Sequence, residues 1–437
     1  MAQPTDGPAD VLQQAITHHR AGRLQQAEQL YRSVLAREPG NTEAMHLLGM
    51  AAFQTGHHDP AAELIAKAVA ASPDNPKYHY NLGRVRRAQS KLEDAAESFQ
   101  RTIELAAGTA DAHSNLGAVL AQLDRAEEAI ASLHKAIELE PRDESAHTNL
   151  GHILQNQGKF DEATDYYRRA ISLRPGFLEP LYNLGRIQLK TGKPAQALES
   201  LDQCLAEQPF DRRALAWRAV ALSELGRTDE AAATVDPERD VAVLRLDQSS
   251  PDADPAALNH ALVEELADHP ALEWEPTATT TRGGSQIGKL LNDPSEAVET
   301  LEWHLRATID GHLAGLESDA SPAYMRAIPR SYILHMWATV LSEQGHQLTH
   351  NHPAGWLSGV YYVRVPGITA SADDHAGWIE FGRPRDDVPT SFEPQVRLIA
   401  PEEGMVALFP SYLFHRTIPF AGPDKRISIA FDLCPKP

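Results

Sequence analysis

Apolar positions recur through the first half of the chain with a period of 34 residues. Gly49, Gly83, Gly117, Gly151 and Gly185 each follow a leucine, from Leu48 to Leu184. Alanine recurs in a second phase at Ala27, Ala61, Ala95, Ala129, Ala163, Ala197 and Ala231. Proline marks a third at Pro39, Pro73, Pro141, Pro175 and Pro209, with Ala107 in the slot between. Tyr31, Ile65, Phe99, Leu133, Tyr167 and Leu201 fill a fourth. A fixed period with several agreeing phases predicts a stack of helical hairpins. The small residues let paired helices approach, the large ones fill gaps between neighbouring hairpins, and proline follows the second helix because it cannot continue it. Seven units begin near residues 8, 42, 76, 110, 144, 178 and 212. The seventh has Ala219 in the glycine slot and lacks the proline, as suits the terminal cap of a solenoid.

This pattern resembles the tetratricopeptide repeat (TPR) family, an α solenoid. One more phase carries function. Asn81, Asn115, Asn149 and Asn183 precede the glycine by two residues, on the helix that the resemblance puts on the concave surface. A side-chain amide both donates and accepts, so a ladder of them can hold the main chain of an extended peptide without reading its sequence. The array is similar in this respect to the TPR superhelix of O-GlcNAc transferases. Inter-repeat packing alone is the competing explanation. Leu47 and Trp217 occupy the same phase in flanking repeats, so the ladder covers four units.

Beyond about residue 236 the phase is lost. The polar, proline-containing stretch after Leu246 reads as a linker, and the run Val241–Leu246 either starts a strand or ends the last helix. Two amphipathic helical patterns follow, ALNHALVEELADHP and SEAVETLEWHLRATIDGHLAGL, separated by the polar segment EPTATTTRGGSQIGKLL. Past about 330 the chain turns to β-branched and aromatic runs broken by glycine and proline: SYILHMWATVL, WLSGVYYVRV, GWIEFG, MVALFP and RISIAFD. Short strands with turn signals predict a sandwich or jelly-roll barrel. The expected organisation is a repeat array over 8–240, a linker over 241–257 and a β-rich domain over 258–437.

Composition narrows the chemistry. The formal net charge is -20, which excludes a broad phosphate-binding footprint and hence nucleic acid as the main partner. No apolar run approaches the ~20 residues of a membrane helix, and the first ten residues have neither the basic start nor the apolar core of a secretory leader. A cytoplasmic protein is the expectation. Two cysteines, Cys204 and Cys434, cannot form a thiolate zinc site, so metal chemistry falls to the 20 histidines and the carboxylates.

The informative histidines stand at strand ends. His350 and His352 precede WLSGVYYV, and residues i and i+2 of an extended chain point the same way. His415 follows MVALFP, and Arg426 and Ser428 share one face of the strand RISIAFD. The string His-Asn-His also names a nuclease family, but that family uses a ββα unit and binds phosphate, which the acidic chain and the strand after His352 oppose.

Together these motifs resemble the 2-oxoglutarate/Fe(II)-dependent dioxygenases, over about residues 260–437. The resemblance implies a double-stranded β-helix (jelly-roll) domain of α+β class. It also implies Fe(II) held by His350, His352 and His415, and 2-oxoglutarate held by Arg426, Ser428 and Tyr362. O2 and 2-oxoglutarate would be consumed, with succinate and CO2 formed and a C–H bond hydroxylated. The family's usual carboxylate ligand is replaced here by His352. Asp373, Asp374 or Glu380 could supply a carboxylate from elsewhere, His352 could orient another ligand, or iron could have two protein ligands. His346 and His375 are minor candidates, and Trp337, Trp356 and Trp378 read as packing residues. With the repeats, the favoured substrate is a protein or peptide side chain. An oxygenase for a small metabolite or glycan with the repeats used for assembly, a repeat adaptor with an inactive barrel, and a three-histidine dioxygenase independent of 2-oxoglutarate are the competing readings.

Overall fold

The computed structural model describes residues 7–250, 252–267, 269–277, 279–316, 322–370 and 374–436. The opening residues 1–6 and Asp373 lie outside these. The chain divides into two compact units, residues 1–180 and 181–437.

The first unit contains five helical hairpins, starting with Pro8–Arg20 and Leu24–Arg37 and ending with Glu144–Asn156 and Phe160–Leu173. Asn41, Asn75 and Asp143 cap the first helices of their units by accepting backbone N–H groups, satisfying donors that a helix start leaves unpaired. The glycine phase works within a hairpin. A Cβ on Gly49 would sit 2.6 Å from Ile65, one on Gly83 2.8 Å from Phe99, and one on Gly151 2.7 Å from Tyr167. The large residues expected to fill gaps between neighbouring hairpins therefore seat on the glycine of their own hairpin. The reason is spacing: the partner lies sixteen residues on, directly across the turn.

The second unit opens with the helices Leu181–Lys190 (the main part of Leu178–Lys190), Pro194–Glu207, Arg212–Glu224 and the short Thr228–Thr234. Ten strands follow among the described residues: β1 (Ala242–Arg245), β2 (Glu273–Trp274), β3 (Thr281–Ile287), β4 (Tyr332–Gln347), β5 (Leu357–Arg364), β6 (Ile379–Phe381), β7 (Arg397–Ile399), β8 (Met405–Pro410), β9 (His415–Thr417) and β10 (Arg426–Pro435). They form a seven-stranded antiparallel sheet in the order β1-β8-β5-β10-β4-β3-β2 and a three-stranded sheet in the order β7-β6-β9. The two sheets share a core. Val360, Tyr362, Met405, Ala407 and Phe409 of the large sheet meet Ile379, Phe381 and Ile399 of the small one. On the opposite face of the large sheet, the helix Pro255–Leu266 packs on β5 and on the helix Glu296–Gly315. Tyr361 donates its hydroxyl to Asn259 there, while its neighbour Tyr362 faces inward, as strand alternation requires.

All five strand-like runs read in the sequence are strands, and both amphipathic patterns are helices. The expected linker is different. Its residues Ala242–Arg245 pair with Met405–Leu408 at one edge of the large sheet, so the sheet begins inside the 241–257 segment. The polar segment between the helices also holds a strand, β3, paired with β4.

Candidate metal centre

His350, His352 and His415 converge, with one ring nitrogen from each lying within 4.8 Å of the others. Their backbones fix this. His350 and His415 exchange N–H···O bonds in a one-residue antiparallel bridge, at 3.0 and 2.9 Å. The His352 N–H donates to the Ser411 carbonyl at 2.8 Å. The ring centroids of His350 and His352 are 5.0 Å apart, as expected for side chains two apart on an extended segment.

Each ring is also fixed in tautomer. Nδ1 of His350 faces the Leu348 carbonyl at 2.7 Å, and Nδ1 of His415 faces the Leu413 carbonyl at 3.1 Å. Nδ1 of His352 faces Asp432 Oδ1 at 2.8 Å. Carbonyl and carboxylate oxygens only accept, so all three Nδ1 atoms carry the proton and the three Nε2 lone pairs remain available. Burial, reinforced by the charge of His352, pushes His350 down to about 3. Burial also holds His415 well below the ordinary histidine range. Both are neutral near pH 7, the state in which imidazole binds a metal.

Of the carboxylates weighed as ligands, the two among the described residues are otherwise engaged. Glu380 pairs with Arg416 across the sheet and with Arg383. It alternates with Phe381, whose partner is His415, so it points to the opposite face. Asp374 accepts the Ala376 N–H. His346 accepts no place in the cluster, and Nδ1 of that ring faces the Gln344 carbonyl. Trp356 and Trp378 donate their indole N–H groups to the carbonyls of Tyr324 and Thr369. Trp337 lies 5.3 Å from the His352 ring.

Asp432 was not among the residues singled out from the sequence. It accepts from Ser358 Oγ as well as from His352, and it shares a face of β10 with Arg426 and Ser428. The signal available was an acidic residue in phase with that pair at the end of RISIAFD.

Arg426 is 2% exposed, and its Nε and Nη1 have no hydrogen-bond partner among the described residues. Its guanidinium lies 5.1 Å from the Tyr362 ring, and the Tyr362 hydroxyl is likewise buried without a partner. Ser428 stands between β4 and β5, opposite Thr339 and Tyr362. Burial lowers the Arg426 pKa and raises that of Tyr362. A buried cation with no carboxylate is costly, and the donors that remain fit a carboxylate supplied by a ligand.

Residues 335–432, which contain the three histidines, Tyr362, Arg426, Ser428 and Asp432, match the family model described as "Putative 2OG-Fe(II) oxygenase". Residues 18–84, 122–158, 145–177 and 182–236 match tetratricopeptide repeat models. The chain thus joins N-terminal segments that match TPR repeats to a C-terminal segment that matches this "Putative 2OG-Fe(II) oxygenase" family. That family implies Fe(II) and 2-oxoglutarate, and the histidine cluster of the oxygenase domain could bind the iron.

No curated protein matches the chain. Among solved structures, it is similar to MamA at 26% identity, over 37% of this chain and 94% of that one, with a TM-score of 0.35. It is similar to YrrB, a TPR protein with an unusual peptide-binding site, at 23% identity, over 42% and 95%, with a TM-score of 0.36. A tetratricopeptide repeat protein from Parabacteroides merdae is 17% identical, over 52% and 89%, with a TM-score of 0.44.

The four asparagines of the expected ladder are not equivalent. In the first unit, Asn115 and Asn149 line a cavity of about 570 Å³ with Arg87, Asp111, Asp143 and Glu179. Asn81 is buried and spends its amide on Nε2 of His46 at 2.8 Å, while its oxygen accepts from Arg84. In the second unit Asn183 is buried at 5% exposure. The Asn115 amide, though it lines the cavity, accepts from Arg87 and donates to the Tyr80 hydroxyl and the Asp111 carbonyl. Among the described residues no helix is long and apolar enough to cross a membrane.

Proposed function

We propose that the protein is an Fe(II)- and 2-oxoglutarate-dependent dioxygenase that hydroxylates a protein or peptide side chain. One observation carries this reading: three converging imidazoles with free Nε2 atoms share a sheet interior with a buried arginine that lacks an anion. His350, His352 and His415 hold the metal. Arg426 and Ser428, with Tyr362 beside them, hold the far carboxylate of 2-oxoglutarate.

Iron with 2-oxoglutarate supplies an O2-derived oxidant able to hydroxylate a C–H bond. The chain's own residues bind, orient and insulate. Asp432, Leu348 and Leu413 hold the three imidazoles in the tautomer that presents Nε2. Arg426 orients the co-substrate and Tyr362 excludes water from its side of the pocket. Charge balance favours a dianion. Iron and Arg426 bring three positive charges, Asp432 brings one negative, and 2-oxoglutarate supplies the remaining two. A site of three histidine ligands therefore depends on its co-substrate for neutrality more than one with a carboxylate ligand.

The repeats support a macromolecular substrate. Their polar cavity around Asn115 and Asn149 suits an extended peptide, and linkage in one chain raises its concentration near the oxidant. The catalytic unit extends back into the 241–257 segment from the 258–437 domain, and the array ends near 240. Two free cysteines and the acidic surface suit a reducing, cytoplasmic setting.

The test is an anaerobic titration of Fe(II)-loaded protein with 2-oxoglutarate, following the visible charge-transfer band. A band that saturates in wild type, is lost in His415→Ala and requires far more co-substrate in Arg426→Ala supports the reading. Wild type without iron or band would overturn it in favour of a repeat adaptor with an inactive barrel.

A further inference from the structure

The asparagine phase of the repeats ends in a tryptophan. Trp217 occupies the position held by Asn81, Asn115, Asn149 and Asn183, and it is 2% exposed. Its ring meets Phe414, the residue before His415, edge-on at 5.0 Å. The Arg186 guanidinium lies over the same indole at 5.5 Å and pairs with Asp387 at 3.3 Å.

The same hairpin reaches the other histidine loop. Arg212 Nε donates to the Pro353 carbonyl at 2.7 Å, one residue beyond His352. At its far end, the Thr234 carbonyl accepts the Tyr412 hydroxyl at 2.7 Å. Three contacts from residues 212–234 therefore fall within three residues of His352 or His415.

Residues 351–356 and 411–414 lie outside the ladders and are held by individual bonds, among them His352 N–H to the Ser411 carbonyl, Ser411 Oγ to the Gly355 carbonyl and Asn351 Nδ2 to the Tyr412 carbonyl, with Tyr324 packed beside Trp356 and Tyr412. Such segments open at low free energy unless something packs on them. Metal ligands have to be held to within about half an ångström to bind well. The seventh hairpin adds to the packing that Tyr324 already gives these loops.

We propose that the seventh repeat is a positioning element of the metal centre rather than part of the peptide surface. Arg212 fixes the loop after His352, and Trp217 fixes the loop before His415. This rests on the reading of the three histidines as iron ligands. Neither residue touches the metal or co-substrate, so their effect falls on metal affinity and loop order. Co-substrate affinity at saturating iron, set by Arg426 on the central strand β10, stays the same.

The experiment uses the full chain as wild type, Arg212→Ala, Arg212→Lys, Trp217→Ala and Trp217→Phe. Hydrogen exchange on the metal-free protein reads the amides of 350–356 and 411–415, with β10 as internal reference. Anaerobic titration reads the Fe(II) affinity. The expected result is faster exchange in those two loops, with β10 unchanged, in both alanine variants. Iron affinity falls about tenfold or more, the effect typical of residues that orient ligands. Arg212→Lys, which keeps a donor, and Trp217→Phe, which keeps an aromatic edge, recover part of the loss. Arg212 is the first residue of its helix and only partly buried, so its alanine variant keeps its fold even if Trp217→Ala does not. Unchanged loop exchange and iron affinity in Arg212→Ala and Trp217→Ala would overturn the proposal. Wild type that binds no iron would overturn the dioxygenase reading instead, and the exchange measurement would still decide whether the hairpin holds the loops.

Discussion

His352 and Asp432, eighty residues apart, meet at 2.8 Å between Nδ1 and Oδ1. The carboxylate absent from the ligand position is thus present one bond further back, behind the imidazole that replaced it. A carboxylate there fixes ring orientation and makes Nε2 a better donor to a metal.

Asp432→Ala is expected to weaken Fe(II) binding by about 10- to 100-fold, the range typical when such a partner is lost. Asp432→Asn keeps an acceptor but not the charge and should fall between. Anaerobic metal titration measures both. Wild-type affinity in Asp432→Ala would mean that His352 is oriented by something else.

Arg426 makes opposite predictions for stability and binding. Replacing an uncompensated buried cation with an apolar side chain of similar length relieves a penalty of several kcal/mol. Arg426→Met should therefore melt higher than wild type without co-substrate. It should also lose the further rise in Tm that 2-oxoglutarate adds to metal-loaded wild type, and require at least about 100-fold more 2-oxoglutarate, since two charged hydrogen bonds at ~1.5–3 kcal/mol each are removed. Thermal melts with and without ligand test both halves.

Gly151→Ala tests the packing phase. The new Cβ would meet the fully buried Tyr167 ring at 2.7 Å. Overpacking of about 1–3 kcal/mol outweighs the helix-propensity gain of up to about 1 kcal/mol. Gly108→Ala, where nothing lies within 4 Å, should be neutral or stabilising. In urea melts the midpoint should fall for Gly151→Ala and stay or rise for Gly108→Ala.

His46 gives the repeats a pH dependence. Burial, then the charges of Lys77 and His19, push its pKa down from 6.5 to about 4. The unfolded chain takes up a proton near 6.5 and the folded one only near 4, so protons favour unfolding between these values. Stability present above pH 6.5 should fall by up to about 3 kcal/mol as the pH drops toward 4, then level off for this group. His46→Gln should flatten that slope in melts followed across the range. Asn81→Ala, which removes the donor to His46, should cost about 1–3 kcal/mol at neutral pH.

Much of the architecture was legible because it rests on local periodicity. The 34-residue phases locate seven hairpins, and period-2 runs locate the longer strands. The histidines were legible because His350 and His352 share a face by spacing alone. What stayed hidden depends on distant partners. Asn81 belongs to the ladder by phase, yet His46 from the preceding repeat claims its amide. Asp432 acquires meaning only through the register that sets Ser358 beside it. The strand Ala242–Arg245 is four residues long, and its partner lies more than 150 residues away. A run that short carries no period, which is why the sequence leaves Val241–Leu246 open between a strand and a helix end.

That short strand has a consequence for how the polypeptide can be cut. β8, with the wholly buried sequence MVALFP, has β5 on one side and β1 on the other. A fragment begun at residue 258 would leave its backbone N–H and C=O groups open along an apolar, proline-free stretch until Pro410. Such an edge invites pairing with another copy. The four residues of β1 thus act as a selvage, and the natural starting point for an isolated oxygenase domain lies upstream of Ala242.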